Sequence, residues 1–479
     1  MEKRKKVEEH YKENSGRALN AGMWYIVGNM LLKGIVFLTL PIFTRLLPTS
    51  DYGLYNTYVA YETIVTGVIG LGLYGSVKRA KIDFREKFDE YISSITFMGL
   101  FVLLGMLLVI NCIYPVFQHV LPFERWVVIL LLFHGYGSFV IQIYNAKLNM
   151  EFKYKSFILI AFLNTVSNIL ISVYLILNVF QYNRYIGRVL GYAIPPIVIG
   201  LVLTIVMAIR GKKVIDGRYW KYGALIGLPL VPHVLSQTLL SQFDRVMIQS
   251  IVGDSEAGIY SFIYTISTIL FIVHQSLDSA WTPWVYYRIN SEEKADVKEK
   301  SKLYILFFSI MTVGFICVVP EIIKLMSARD YWVGMNLIVP TTLSTFCIFL
   351  YTLPVNIEYY NKKTAFISAG TVGAAIVDVV LNSFFIRLLG YEAAAYTTLF
   401  SYILLFVFHL LIARKYEFND CYDIKWIGLC SLAVFIIGLI IRLSEQNIIL
   451  RYSVVVIILA YLLVNKRTLL SAIKDIKNK

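Results

Sequence analysis

The feature that most constrains this chain is a succession of apolar runs, each close to the length of about 20 residues that a helix needs to cross a bilayer. Short segments rich in charge and turn residues divide them. The runs fall at 20–43, 54–77, 92–114, 125–146, 157–179, 186–209, 222–250, 257–284, 303–325, 335–359, 365–387, 392–413, 424–442 and 449–465. The expected fold class is therefore all-α integral membrane, with about fourteen transmembrane helices. Composition agrees: 58% of residues are hydrophobic and 16% charged, where soluble domains run at about 45–50% and about 25%.

The first apolar run is too long for a removable signal and carries no small-residue cleavage site, so it is expected to stay as the first span. Most lysines and arginines fall in segments on the same side as the basic start MEKRKKVEEHYKENSGR, which predicts that both termini are cytoplasmic. That distribution accounts for the net charge of +14 by topology. No nucleic-acid motif accompanies it. The 34 Tyr and 7 Trp suit the aromatic belts of a membrane protein in the same way. Five cysteines, Cys112, Cys317, Cys347, Cys421 and Cys430, form neither a disulfide framework nor a metal-like pair and read as apolar packing residues.

A short internal repeat gives the domain reading. Phe43-Thr44-Arg45 closes span one as Phe243-Asp244-Arg245 closes span seven, and Gly53-Leu54-Tyr55 is matched by Gly258-Ile259-Tyr260. Both halves would start at the cytoplasm, so a pseudo-twofold along the membrane normal is expected to relate two six-helix lobes, with a site between them near the midplane. The expected boundaries are 1–210 for the amino-terminal lobe, 211–221 for a cytoplasmic linker and 222–415 for the carboxy-terminal lobe. Residues 416–479 then hold two additional spans and a basic tail.

Polar residues inside the apolar runs are the candidates for function. Lys33 and Asn29 sit one turn apart in span one. A cation near the bilayer centre costs about 2.5–3.5 kcal/mol on insertion scales, so Lys33 is expected to face protein, water or an anion. A structural pairing with Glu62 on the next span is the rival reading. Further intramembrane groups are Asp244, Asp278, Glu358, Asp378, His134, His233 and His274. His274 with Asp278, and Asp378 with Asn382, share helix faces at i, i+4 and read as local hydrogen-bonded units. Glu62, Asp244, Asp278 and Asp378 are at the same time candidates for coupling to protons or sodium ions. Pro229 and Pro232 mark span seven as the candidate moving helix, because proline removes a backbone hydrogen bond.

PIFTRLLPTSDYGLYN after span one and LIGLPLVPHVLSQTLLSQFDRVMIQSIVGDSEAGIYSFIY across spans seven and eight resemble the Wzx-type polysaccharide transporters. These form a branch of the multidrug/oligosaccharidyl-lipid/polysaccharide exporter (MOP) superfamily. The resemblance implies a flippase of the bacterial cytoplasmic membrane that carries undecaprenyl-diphosphate-linked O-antigen, capsule or exopolysaccharide repeat units outward by alternating access through a cationic cavity. A transporter of this kind is not an enzyme, carries no cofactor, works among membrane lipids and hands its cargo to a polysaccharide polymerase. On this reading the lipid diphosphate needs cations. Lys33 meets that need, with Asn29 beside it and His233 at the matching place of the second repeat. Arg45 and Arg245 would form an outer pair, and Lys78, Arg79 and Lys147 an inner set, although interfacial anchoring is the commoner role for the last three and for Arg45, as pairing with Asp244 is for Arg245. Coupling to a proton or sodium gradient is compatible with this scheme but not required. A dianion leaving a negative interior gains about 4.6 kcal/mol per 100 mV.

Two other functions compete. A drug or cation antiporter of the same superfamily would favour acidic over basic cavity groups. A membrane polymerase or glycosyltransferase would call for a sizeable outer loop with catalytic carboxylates, and the outer segments here are short. The phosphate-cradling GxxxxGK[ST] pattern is absent from the sequence, which argues against ATP hydrolysis by this chain.

Overall fold

The computed structural model describes residues 28, 34–35, 37–117, 121–444 and 447–465. Among them the secondary structure is helical, without a strand. The helices are α1 (Leu40–Leu46), α2 (Thr49–Gly70), α3 (Tyr74–Asp83), α4 (Phe88–Phe117), α5 (Arg125–Met150), α6 (Tyr154–Asn178), α7 (Arg184–Gly211), α8 (Gly217–Gly227) and α9 (Val231–Ile251). They continue with α10 (Asp254–Asn290), α11 (Lys294–Met326), α12 (Ile338–Tyr360), α13 (Thr364–Leu389), α14 (Glu392–Ala413), α15 (Phe418–Cys421), α16 (Ile424–Leu443) and α17 (Ile448–Val464).

Eleven helical stretches among the described residues are long and apolar enough to cross a membrane. Of the other expected spans, the first lies largely outside the described residues. The second coincides with most of α2 and the start of α3, and the last with the 17-residue α17. Broad apolar faces stay uncovered, as at Leu108, Ile205, Leu429 and Leu463. Helices satisfy their own backbone and can present such faces to hydrocarbon. The protein is a multi-pass membrane protein. Local chemistry sets the helix ends: Asp216, Asp423 and Asn447 cap α8, α16 and α17 by accepting backbone N–H bonds, and Gly390 closes α13 at a φ of 80°.

The chain packs as two compact units, Met1–Ser250 and Ile251–Lys479. In the first, α2, α4, α5 and α7 surround a core that includes Ile69, Tyr91, Ile95, Phe139 and Ile143. α7 meets α6 through Gly187 and Gly191, four residues apart, and a methyl group on Gly191 would collide with Ser172. Small residues at this spacing let membrane helices approach closely, where packing rather than the hydrophobic effect drives association. In the second unit the core is aromatic: Phe308 stacks on Phe349 at 4.2 Å and Trp281 on Tyr304 at 4.3 Å. α16 belongs to that core through Ile427, Cys430, Val434 and Ile441. α17 is fastened to α11 by Arg451, whose guanidinium donates to Glu321 at 2.6 and 2.7 Å. Cys317, Cys347, Cys421 and Cys430 are buried, while Cys112 is exposed.

Candidate functional site

Two helices are interrupted side by side in the Met1–Ser250 unit. α2 ends at Leu71, which adopts a left-handed φ of 45°, and Gly72 follows at 67°. α8 passes into α9 through a 3₁₀ turn, Leu228–Leu230, that contains Pro229, and Pro232 occupies the first turn of α9. Proline is tolerated where the helix N–H groups lack partners anyway. The two interruptions touch. A methyl group on Gly72 would strike the Gly227 carbonyl, and one on Gly227 would strike the Leu71 carbonyl.

Beside this contact, with Gly72 in its wall, lies a cavity of about 270 Å³. α2 contributes Glu62, Thr63 and Thr66, α5 contributes Ser138 and Gln142, and α9 contributes Val231, Val234 and Thr238. Gly67, Gly70, Gly72 and Tyr74 complete its wall. The lining thus holds one carboxylate, several hydroxyls and one amide, and no lysine or arginine among the described residues. Glu62 is 6% exposed. It accepts a hydrogen bond from the Thr66 hydroxyl at 2.8 Å and another from Ser138.

The carboxylate belongs to a polar seam between α2 and α5. Tyr58, Glu62 and Thr66 recur every four residues on α2, and His134, Ser138 and Gln142 do so on α5. That spacing puts each set on one helix face. The Tyr58 hydroxyl lies 3.2 Å from His134 Nδ1, and the Thr66 hydroxyl is also 3.4 Å from the Gly135 carbonyl. At the far end of the seam Arg188 is buried. It donates to the Tyr55 hydroxyl at 2.9 Å, to Asn168 at 2.5 Å and to Ser172 at 2.7 Å, and it stacks over the Phe43 and Tyr55 rings.

The other candidates are dispersed. Lys33 and Asn29 lie outside the described residues. Arg45 is exposed at the end of α1, while Arg245 is buried beside Gln242, to which it donates, and next to buried Asp244. His233 is half-buried on α9 between the cavity residues Val231 and Val234, and its Nδ1 has no hydrogen-bond partner. Lys78 is exposed, and Arg79 pairs at 3.0 Å with Asp83. Lys147 is buried in an ion pair with Asp89, with Glu151 at 3.8 Å, the geometry of a structural clamp.

In the Ile251–Lys479 unit, Asp278 is held by Thr282 at 2.9 Å and Asn356 at 3.1 Å. His274 packs instead against Phe271, Phe308 and Phe349, with its Nδ1 unpartnered. The i, i+4 partner that Asp278 finds is therefore Thr282 rather than His274, because the next turn toward the carboxy terminus faces Asn356. Asp378 accepts from Asn382 and from Ser401, each at 3.2 Å. Glu358 is enclosed with His409, a pair that reading the sequence did not connect; Glu358 and His409 lie 51 residues apart. Thr66, Ser138, Gln142 and Arg188 also went unnoticed, although the four-residue spacing on α5 carries a signal for two of them.

Residues 18–286 match the family described as polysaccharide biosynthesis protein. The chain is 23% identical over 372 residues to the Lsg locus putative protein 1 of Haemophilus influenzae, covering 74% of this chain and 88% of that protein. A protein of the same organism described as an uncharacterized membrane protein is 23% identical over 367 residues, covering 74% and 86%. Among solved structures, the lipid II flippase MurJ in an inward closed conformation superposes with a TM-score of 0.68 at 15% identity, covering 93% of this chain and 100% of that one. A multidrug resistance MATE family transporter of the MOP superfamily, inward-facing, superposes at 0.56 with 15% identity, covering 81% and 98%. At these identities the likeness establishes the fold, which is that of the MOP-superfamily transporters.

Proposed function

We propose that this chain, which belongs to the polysaccharide biosynthesis protein family and has the MOP-superfamily transporter fold, is a flippase for undecaprenyl-diphosphate-linked oligosaccharide. The observation that carries the reading is the polar cavity beside Glu62, set among helices whose outer faces are apolar. A polar cleft among membrane helices marks a transport path, because unsatisfied polar groups are too costly to keep in hydrocarbon. The cavity supplies acceptors and hydroxyls suited to a glycan. The diphosphate would be met by cations elsewhere, for which Lys33, Arg45, Arg245 and His233 are the proposed groups. The interruption at Leu228–Leu230 would let α9 swing relative to α8, with Pro229 and Pro232 as the hinge.

Reconstitution into vesicles with a lipid-linked oligosaccharide bearing a fluorophore on its sugar tests this proposal. Flipping should exceed that of protein-free vesicles by about tenfold, read by a membrane-impermeant quencher. A rate equal to that of empty vesicles sinks the reading. The acidic lining of the cavity, without a lysine among its described residues, favours a cation antiporter as the second reading. In that case the same vesicles would move a cationic dye and leave the lipid in place.

A further inference from the structure

The cavity beside Glu62 restricts what part of such a substrate it accepts. Its volume of about 270 Å³ equals the share of about nine liquid waters at about 30 Å³ each. That is far more than a bare cation occupies, and it lies just below the range of about 300–1,000 Å³ for small-molecule pockets. One six-membered ring with its substituents fits this volume. The polar groups converge from three helices: Glu62 and Thr66 from α2, Ser138 and Gln142 from α5, and Thr238 from α9. An ionised carboxylate only accepts hydrogen bonds, a hydroxyl does both, and an amide offers one acceptor and two donors. A vicinal diol on a sugar ring can therefore donate to Glu62 while its hydroxyl oxygens accept from the Gln142 amide. A phosphate or a uronate would instead bring a second acidic group against Glu62, where the two cannot both ionise without cost, with no lysine or arginine among the described lining residues.

We infer that the Glu62 cavity is a subsite for a single uncharged sugar ring, selective against anionic sugars and against the diphosphate itself. The inference rests on the flippase reading and assigns this cavity to the glycan. Valines 231 and 234 supply the apolar surface on which the carbon face of a sugar ring packs.

The test uses the full chain in lipid nanodiscs and ligand-observed NMR with two soluble probes, a methyl glucoside and the matching methyl glucuronide. Native protein should bind the glucoside at least tenfold more tightly. Glu62→Gln should narrow the ratio to within about threefold, mainly because the glucuronide gains once the like charge is gone. Thr238→Val, which leaves the carboxylate alone, should weaken the glucoside several-fold and keep the discrimination against the glucuronide, and it serves as the check if Glu62→Gln fails to fold. Equal binding of the two probes by native protein overturns the inference, as does a ratio that Glu62→Gln leaves unchanged. Glu62-dependent binding of sodium without any glucoside binding overturns it in favour of an ion site. Lipid-linked oligosaccharide that is flipped by a protein showing no glucoside preference removes the subsite and leaves the flippase. Glucoside selectivity without flipping removes the flippase and leaves the subsite.

Discussion

Glu62 and Glu358 are both carboxylates set within apolar helices, and the two units surround them in opposite ways. Glu358 is 0% exposed and His409 Nδ1 reaches its two oxygens at 2.9 and 3.1 Å. On the other side of that imidazole a methyl group at Gly370 would collide with Nε2, so the ring is wedged against α13. Glu62 has hydroxyls for partners and opens on a cavity. Removing either member of a buried hydrogen-bonded pair leaves the other without its partner, whereas hydroxyls can turn toward a ligand at small cost. The first arrangement ties α12 to α14. The second leaves a carboxyl group available for recognition.

The largest effect should come from breaking the enclosed pair. His409→Leu leaves Glu358 buried alone, and about 3–5 kcal/mol of stability should be lost. The double change Glu358→Leu, His409→Leu should recover most of that, since an apolar replacement of a buried pair is often neutral. Glu62→Gln in the same detergent melting assay should shift stability by less than about 1 kcal/mol. If Glu62→Gln destabilises as much as His409→Leu, the two carboxylates do the same work and the comparison fails.

A smaller effect sharpens the description of the open side. Gly72→Ala puts a side chain at a φ of 67° against the Gly227 carbonyl, at a cost of about 1–3 kcal/mol. Gly373→Ala, in the interior of α13 with nothing near a new methyl, should be neutral or stabilising by about 0.5–1 kcal/mol. Equal losses in the two variants would mean that the contact between the two helix breaks does not hold the cavity floor.

The smallest effect belongs to a carboxylate at the membrane edge. Asp423 caps α16, accepting from the backbone N–H groups of Lys425 and Trp426, and pairs with Lys302 at 3.0 Å. The Lys302 ammonium first, and the Trp426 N–H after it, hold this carboxyl below its usual range. The folded value lies below the unfolded one of about 3.9, so the contribution is fully present above that pH and is lost as pH falls through the folded value. Asp423→Ala should cost about 1 kcal/mol at neutral pH, and the difference between variant and native melting should vanish in acid.

Reading the sequence reached the fold through the apolar runs because each membrane helix is specified locally, by about 20 consecutive residues. It reached single intramembrane groups such as Glu62, Asp278 and Asp378 for the same reason. It reached one partner, Asn382 for Asp378, and missed those that come from other helices. Asp278 selects Thr282 and Asn356 over His274, and Glu358 selects His409 across 51 residues. Lys147, weighed between a substrate cation and an interfacial anchor, sits in an ion pair with Asp89, 58 residues away.

The sequence by itself determined that this chain spans a membrane many times as helices, since in hydrocarbon the backbone leaves few alternatives, and it marked which ionisable groups enter the apolar layer. Only the tertiary structure decided which of them stand alone and which are paired. It also brought the break at Gly72 against the break at Gly227 to floor a polar cavity. The reason is one of range: helix formation depends on neighbours a turn away, while the surroundings of a buried charge depend on residues that packing brings from other helices.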